Sequence, residues 1–438
     1  MDKGIDDGSP SPYDPYAPLR LPDYRRFLIG GVLAEAGAEM QMVVVGWEIA
    51  RRTDSALALG LVGLAMVIPV FLLALPAGHA ADRHSRKAIL LGAQGLMASA
   101  SIGLAALSAV QGPVAWMYAF LALAGVASAI SRPARWSILR QLVPDHLVGG
   151  AVTWNSSGWQ LASVAGPALG GVVVAISGRE AIAYLIDFGL SVGFIVLLAP
   201  IRPRPVVRTS EPASTGSFLA GLRFVRRTEL ILATITLDLF AVLLGGAVAL
   251  LPIFARDILG IGPVGLGLLR AAPSIGAAMM ALTLAHRPPL RRAGPALLWA
   301  VAGFGAATIG FGLSRSPALS FLFLMVTGAL DNISVVVRST LVQVLTPESM
   351  RGRVAAVNAI FIGSSNELGG FESGLTAHYF GPVASVVGGG IGTLLVVALV
   401  RLRWPDLAGL GSLRDLEGAQ KSTTPQDQLA LAEAEHPV

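Results

Sequence analysis

What confines this chain most is where its charge is absent. Apolar runs of about 20 residues recur from Phe27 to Arg401, and Lys, Arg, Asp and Glu are crowded into short stretches between them. A helix rising about 1.5 Å per residue crosses a hydrocarbon core of about 30 Å in such a run. Twelve candidate spans follow, the first over 27–50 and the last over 383–401. Only 13% of the 438 residues are charged while 54% are hydrophobic, roughly half the charge of a globular protein. That composition excludes a disordered chain and a soluble one, and predicts an all-α membrane protein. The chain has no cysteine, so disulfides, thiolate metal sites and a cysteine nucleophile are excluded too.

Lys and Arg are retained on the cytoplasmic side of a membrane. With the N-terminus placed inside, nearly all of the 32 Lys and Arg residues fall in inside segments. Only Arg51, Arg52, Arg179, Arg256 and Arg315 fall outside, and Arg270 lies within a span. The expectation is a multi-pass protein of the cytoplasmic (inner) membrane with both termini cytoplasmic. The net charge of +5 is then a topology signal, and no nucleic-acid partner is expected. Residues 1–26, rich in Pro and Asp, lack the apolar core of a signal peptide and read as a cytoplasmic tail. Residues 404–438 read as a second one.

The longest connection, 201–229, carries prolines and a Ser/Thr stretch. Phe218, Leu219, Leu222, Phe224 and Val225 follow, with Arg223, Arg226 and Arg227 interspersed. It reads as a linker ending in an amphipathic interfacial segment. The linker separates six spans over 27–200 from six over 230–403, and the halves repeat at an offset of 203 residues. Arg135, Pro144, Asp145, Gly149, Asn155, Gly166 and Gly171 meet Arg338, Pro347, Glu348, Gly352, Asn358, Gly369 and Gly374 without a gap. Two duplicated six-helix halves are transporter architecture, with the substrate site expected between them near mid-membrane.

The second span ends Gly78-His79-Ala80-Ala81-Asp82-Arg83-His84-Ser85-Arg86-Lys87. Gly78 allows two helices to approach closely, Asp82 offers an acceptor to helix N-terminal amides, and Arg83, Arg86 and Lys87 hold the loop in the cytosol. The stretch resembles the GxxxDRxxRK signature of the major facilitator superfamily. That resemblance implies two pseudo-symmetric six-helix bundles. It also implies that Asp82 and Arg83, with Gly78, Arg86 and Lys87, gate the cytoplasmic side; a plain basic loop is the alternative. The corresponding loop of the second half, Ala285 to Arg292, keeps the basic charge and lacks the Asp.

On the fifth span, Ala162 to Gly171 is similar to the GxxxGPxxGG motif of proton-coupled exporters, with Ala162 at the first Gly. Gly166, Gly170 and Gly171 permit close backbone packing and Pro167 removes a hydrogen bond and bends the helix. Sealing of the periplasmic end is what the resemblance implies, and generic helix packing is the alternative. The fourth span has no intramembrane Arg before Gly125, which many drug–proton antiporters use. A finer resemblance, to the transmembrane secretion effector or enterobactin exporter branch, rests on three segments. These are Trp47 with Thr53-Asp54-Ser55 and Leu59-Gly60-Leu61, then Gly221-Leu222-Arg223-Phe224-Val225, then Thr346-Pro347-Glu348-Ser349-Met350-Arg351-Gly352-Arg353. It implies export of a small amphiphilic molecule, a siderophore, metabolite or drug, driven by the proton gradient with no other cofactor.

Ionisable residues inside spans test that reading, because hydrocarbon tolerates them only beside water or a partner. Glu35 and Glu39 stand at i and i+4 on one face of the first span near mid-depth. Two carboxylates so placed should not both ionise, which suits a proton carrier. Alternatively, one hydrogen-bonds a neighbouring helix and stays protonated. Asp238, Arg270 and Asp331 lie in the second half, where Arg270 could neutralise one carboxylate and leave the other as a second-choice carrier. For Asp187, Glu367 and Glu372, pore-lining and structural pairing are both open. Trp159, Gln160, Arg270, Asn366 and Glu367 are the candidates for lining a substrate cavity. Glu48 is expected to reach the outer interface, with Trp47 anchored there.

Rival functions are a proton-independent uniporter or importer of the same fold, a membrane enzyme, and a non-transporting sensor. The motif around Pro167 argues against import. Against an enzyme, His79, His84, His146, His286, His378 and His436 show no metal spacing, and no P-loop is present. The expected partners of this monomer are a small-molecule substrate, protons and the lipid bilayer.

Overall fold

The structure, a computed structural model, describes residues 14–83, 85–204, 215–288 and 290–411. Residues 1–13 and 412–438 of the expected tails, 205–214 of the 201–229 connection, His84 and Pro289 lie outside the described residues. The first half comprises α1 (Pro22–Thr53), α2 (Ala56–Arg83), α3 (Arg86–Ala109), α4 (Val114–Leu142), α5 (Val148–Ser177) and α6 (Glu180–Leu198). The second opens with α7 (Thr215–Arg227), α8 (Glu229–Leu244) and a one-turn α9 (Leu251–Ile253). It continues with α10 (Gly262–Ala285), α11 (Ala293–Leu313), α12 (Pro317–Leu345), α13 (Arg351–Phe380), α14 (Pro382–Arg403) and a short α15 (Pro405–Gly409).

Eleven stretches among the described residues are long and apolar enough to cross a membrane. Helix α13 is the twelfth span. Its 30 residues exceed what a bilayer core requires, and its Asn358, Asn366, Glu367 and Glu372 are tolerated because it packs among α2, α8 and α14. On the outer surface, Ile176, Val196, Leu395 and Leu399 are each more than half exposed, a surface whose natural solvent is lipid. Helix ends follow local chemistry. Asp54 and Gly178 take left-handed backbone after α1 and α5, and the Ser85 side chain accepts the Ala88 N–H at the start of α3.

The 203-residue repeat is visible as duplicated packing. Asp145–Leu147 and Glu348–Met350 are both 3-10 turns, leading into α5 and α13. Gly166 of α5 lies against the backbone of α1 at Ala36, and its counterpart Gly369 of α13 lies against the backbone of α8 at Val242 and Leu243. Gly171 meets Pro263 of the other half, just as Gly374 meets Gly60. Each interface is one where a Cβ would strike backbone, so small residues are required there.

The expected continuous span over 230–254 is instead broken. After α8 the chain bends at Gly245 and Gly246, makes a 3-10 turn over Ala247–Leu250 and α9, and ends in a π-helical turn, Phe254–Ile258. Gly245 abuts the Phe304 ring and Gly246 abuts Gly369 and Ser373, while Pro252 withholds an N–H donor. Helices α4 and α12 in turn run past the expected ends at 131 and 337. They carry Arg132, Arg135, Arg140 and Arg338, expected in loops, on helical backbone.

The halves meet chiefly through α5 with α10 and α2 with α13. Two ends can be told apart: the linker end, where α6 gives way to α7, and the far end. At the linker end Leu222, Phe224 and Val225 of α7 pack on Val354, Val357 and Ile231. At the far end the halves are sealed. Gly60 lies against Phe371 and Gly374, Gly63 against the Glu367 carbonyl, Gly267 against the Pro167 carbonyl, and Gly46 against Pro252. Trp47, expected as an interfacial anchor, instead packs on the apolar clusters of both halves at this seal. Arg256 on the π-helical turn bridges the halves, reaching Asp54 at 2.7 Å and the Ala50 carbonyl of α1.

Candidate functional site: a charged cavity between the halves

Below the far-end seal lies a cavity of about 450 Å³, within the range of small-molecule sites. From the first half, α1 contributes Glu39, Met42 and Val43, and α5 contributes Trp159 and Ser163. From the second half, α10 contributes Arg270, α12 Asp331, and α13 Asn366 and Glu367. The walls between them are apolar: Leu59, Val62, Leu251, Phe304 and Leu324. The apolar walls with a few charged groups suit an amphiphilic solute.

The four ionised-type groups are not matched pairwise. None of Glu39, Arg270, Asp331 and Glu367 takes part in an ion pair within 4.0 Å among the described residues. Three carboxylates and one guanidinium facing one cavity can bind a charged solute, exchange protons with it, or both.

Glu35 is placed otherwise than expected. It has partners of its own instead of standing free beside Glu39: Arg135 of α4 holds one of its oxygens at 2.8 Å and the Trp159 indole N–H donates to the other at 3.2 Å. Trp159 lines the cavity with about half its surface (52%) exposed, so Glu35 orients a cavity residue from behind. Gln160, expected in the cavity wall, does not line it but donates across the interface to the carbonyl of Ser274, which does, at 2.7 Å. Asn366 lines the cavity and also donates to the Ile362 carbonyl of its own helix.

Asp238 lies outside the cavity wall. Its partner is Arg338 of α12 rather than Arg270, and both are buried. Arg338 falls outside the site candidates of the sequence because the expected span ends one residue short of it. A signal was nevertheless present in the sequence: the 203-residue offset that carries Arg135 onto Arg338 also carries Glu35 onto Asp238. Glu48 is fully buried rather than interfacial, held by Arg52 at 3.0 Å and by the Tyr184 hydroxyl at 2.9 Å.

Of the loop signature, Gly78, Asp82 and Arg83 are on the last turns of the α2 backbone, but their side chains lie outside the described residues. Arg86 and Lys87 open α3, where the Lys87 ammonium donates to the Ala199 carbonyl at the end of α6. In the motif of α5, Gly166 and Gly170 seat the helix on α1, while Pro167 and Gly171 form the contact with α10.

Residues 13–433 match a family described as transmembrane secretion effector. The chain is 28% identical over 396 residues to the enterobactin exporter EntS of Shigella flexneri, covering 87% of this chain and 93% of that one. In fold it is similar to a bacterial homologue of the lysosomal transporter Spinster, solved in an inward-facing, unoccupied conformation. The TM-score is 0.66 at 13% identity, covering 91% of this chain and 98% of that one. It is also similar to a D-xylose–proton symporter, with a TM-score of 0.66 at 14% identity, covering 86% and 96%.

Proposed function

The chain belongs to the transmembrane secretion effector family of major facilitator transporters, and from that premise we propose that it exports a small amphiphilic molecule by antiport with protons. Alternating access of the two halves would carry cargo from the cavity across the cytoplasmic membrane. The observation that supports this most is the set of charges in the cavity, Glu39, Asp331, Glu367 and Arg270, that form no ion pair among the described residues and lie below a far-end seal. A carboxylate free of a fixed cation can hold either a proton or the cargo, and that exclusion is what couples the two fluxes. Glu39 is the first-choice carrier, because Glu35 is committed to Arg135 and Asp238 to Arg338. Asp331 and Glu367 are next. The basic residues gathered at the linker end support cytoplasmic termini, and on that orientation the cavity serves the cytoplasmic side in the conformation seen. The similarity to enterobactin exporters supports a siderophore as one class of cargo, and the unpaired carboxylates support amphiphilic cations as another.

The test is proton release by the detergent-solubilised protein on addition of siderophores and of amphiphilic cations. The wild type should release protons with at least one of these. Glu39→Gln should abolish the release, and Glu35→Gln should leave it in place. Cargo binding without proton release in any variant would overturn antiport and leave a uniporter.

A further inference from the structure

Helix α1 carries carboxylates toward the cavity and a glycine toward the bundle core. Glu35 and Glu39 serve the first face. Gly37, between them, faces α6, and a Cβ there would collide with Oδ1 of Asp187. Asp187 is wholly buried among α1, α3 and α6 and lines no part of the cavity. Its surroundings are polar without being cationic. Ser101 Oγ lies 2.6 Å from Asp187 Oδ2, Gln41 donates to Ser101 Oγ at 3.4 Å, and one turn away Gln94 donates to Ser191 at 2.9 Å. Among the described residues, Oδ1 of Asp187 has no hydrogen-bond partner.

The charged groups on the helices around it are engaged elsewhere or remote. On α1, Glu35 is held by Arg135, Glu48 by Arg52 and the Tyr184 hydroxyl, and Arg51 by Glu180 of α6 itself, while Glu39 faces the cavity. Helix α3 is charged only at Arg86 and Lys87 in its first turn, and α5 has no charged residue. An ionised Asp187 would therefore be a buried charge without a counter-ion, which costs several kcal/mol.

Hydrogen accounting points the same way. Ser101 Oγ has one proton and two acceptors in reach, Asp187 Oδ2 at 2.6 Å and the Met97 carbonyl at 2.9 Å. A carbonyl cannot donate, so if Asp187 were ionised one of these short contacts would be between two bare acceptors. With a proton on Asp187 every contact is satisfied: Ser101 donates to Met97, while Asp187 and Gln41 both donate to Ser101.

We propose that Asp187 is a proton-binding site separate from the cavity, loaded in the far-end-closed conformation and exchanging its proton with solvent only when the two halves rearrange. The second clause rests on the transport reading, and the test needs neither cargo nor coupling, so the two can fail independently. Infrared spectra of the full-length protein should show a protonated-carboxyl band at neutral pH that is absent in Asp187→Asn, a substitution that keeps the shape and a donor to Ser101. The chain has no cysteine of its own. Asp54→Cys and Arg256→Cys can therefore be joined by a short bifunctional thiol reagent to hold the far end shut. Joining them should slow deuterium exchange of the Asp187 band about tenfold or more. A spectrum in which Asp187→Asn removes no carboxyl band would show that Asp187 is ionised and overturn the site. Equal exchange in linked and unlinked protein would overturn its dependence on the rearrangement.

Discussion

The two halves of this protein carry the same ion pair in two different solvents. Glu35 and Arg135 join the first and fourth helices of the N-terminal bundle, and Asp238 and Arg338 join the equivalent helices of the C-terminal bundle, each residue displaced by 203 positions. In the first pair the side chains are 25% and 31% exposed, and Glu35 also accepts from Trp159 on the cavity wall. In the second they are 9% and 5% exposed, with no cavity residue attached. Duplication preserved the register while packing changed the surroundings. The first pair is therefore placed to respond to what occupies the cavity, and the second is placed to hold α8 against α12.

The largest effect expected from this difference is on stability. Arg338→Ala leaves Asp238 charged and buried without its partner, at a cost of about 3–5 kcal/mol. Arg135→Ala leaves Glu35 a quarter exposed and still holding the Trp159 N–H, at a cost of about 1 kcal/mol or less. Thermal unfolding in detergent should place Arg338→Ala well below Arg135→Ala, and replacing Asp238 and Arg338 together by apolar residues of similar volume should recover much of the loss. Equal losses in the two single variants would erase the distinction between the halves.

A smaller effect should be shared by both halves. An alanine at Gly166 would bring its Cβ to 2.6 Å from the Ala36 carbonyl, and one at Gly369 to 2.8 Å from the Val242 carbonyl. Neither backbone can yield without moving a helix, so Gly166→Ala and Gly369→Ala should each cost about 1–3 kcal/mol. Values that agree within experimental error would confirm that duplicated packing, unlike the ion pairs, has kept its energetics. A loss confined to Gly166→Ala would show instead that the α13 contact with α8 has relaxed.

The spans, the duplication and the family were legible because each leaves a mark along the chain: a gap in charge, a fixed offset, or a short motif. What the sequence withheld is which way the helices face. Glu39 and Asp187 are both mid-span carboxylates between apolar neighbours, yet one lines the cavity and the other enters the bundle core. A helix that is apolar on all sides carries no stripe from which its rotation can be inferred. Arg135 and Arg338 fall in expected loops because hydropathy falls where charge appears, although α4 and α12 continue beyond them. Their partners were recoverable only by asking whether carboxylates as well as glycines obey the 203-residue offset. The break at Gly245 and Gly246 was hidden for another reason: its cause is Phe304, Gly369 and Ser373 from distant segments, and glycine within a spanning helix is ordinarily unremarkable.

The smallest expected effect is the most informative about transport. A double-mutant cycle on Glu35→Gln and Arg135→Gln should give a coupling energy below about 1 kcal/mol, because water reaches both side chains. If Glu35 holds Trp159 in place, the same substitutions should weaken binding of aromatic or cationic cargo while leaving proton release per bound cargo unchanged. Trp159→Phe, which removes the indole donor and keeps an aromatic face, should reproduce that weakening and abolish any further effect of Glu35→Gln on affinity. Additive losses from Trp159→Phe and Glu35→Gln would mean that the carboxylate acts on the cargo directly. In that case the first-half pair would be part of the binding site itself, and its contrast with the buried pair of the second half would be one of function as well as of solvent.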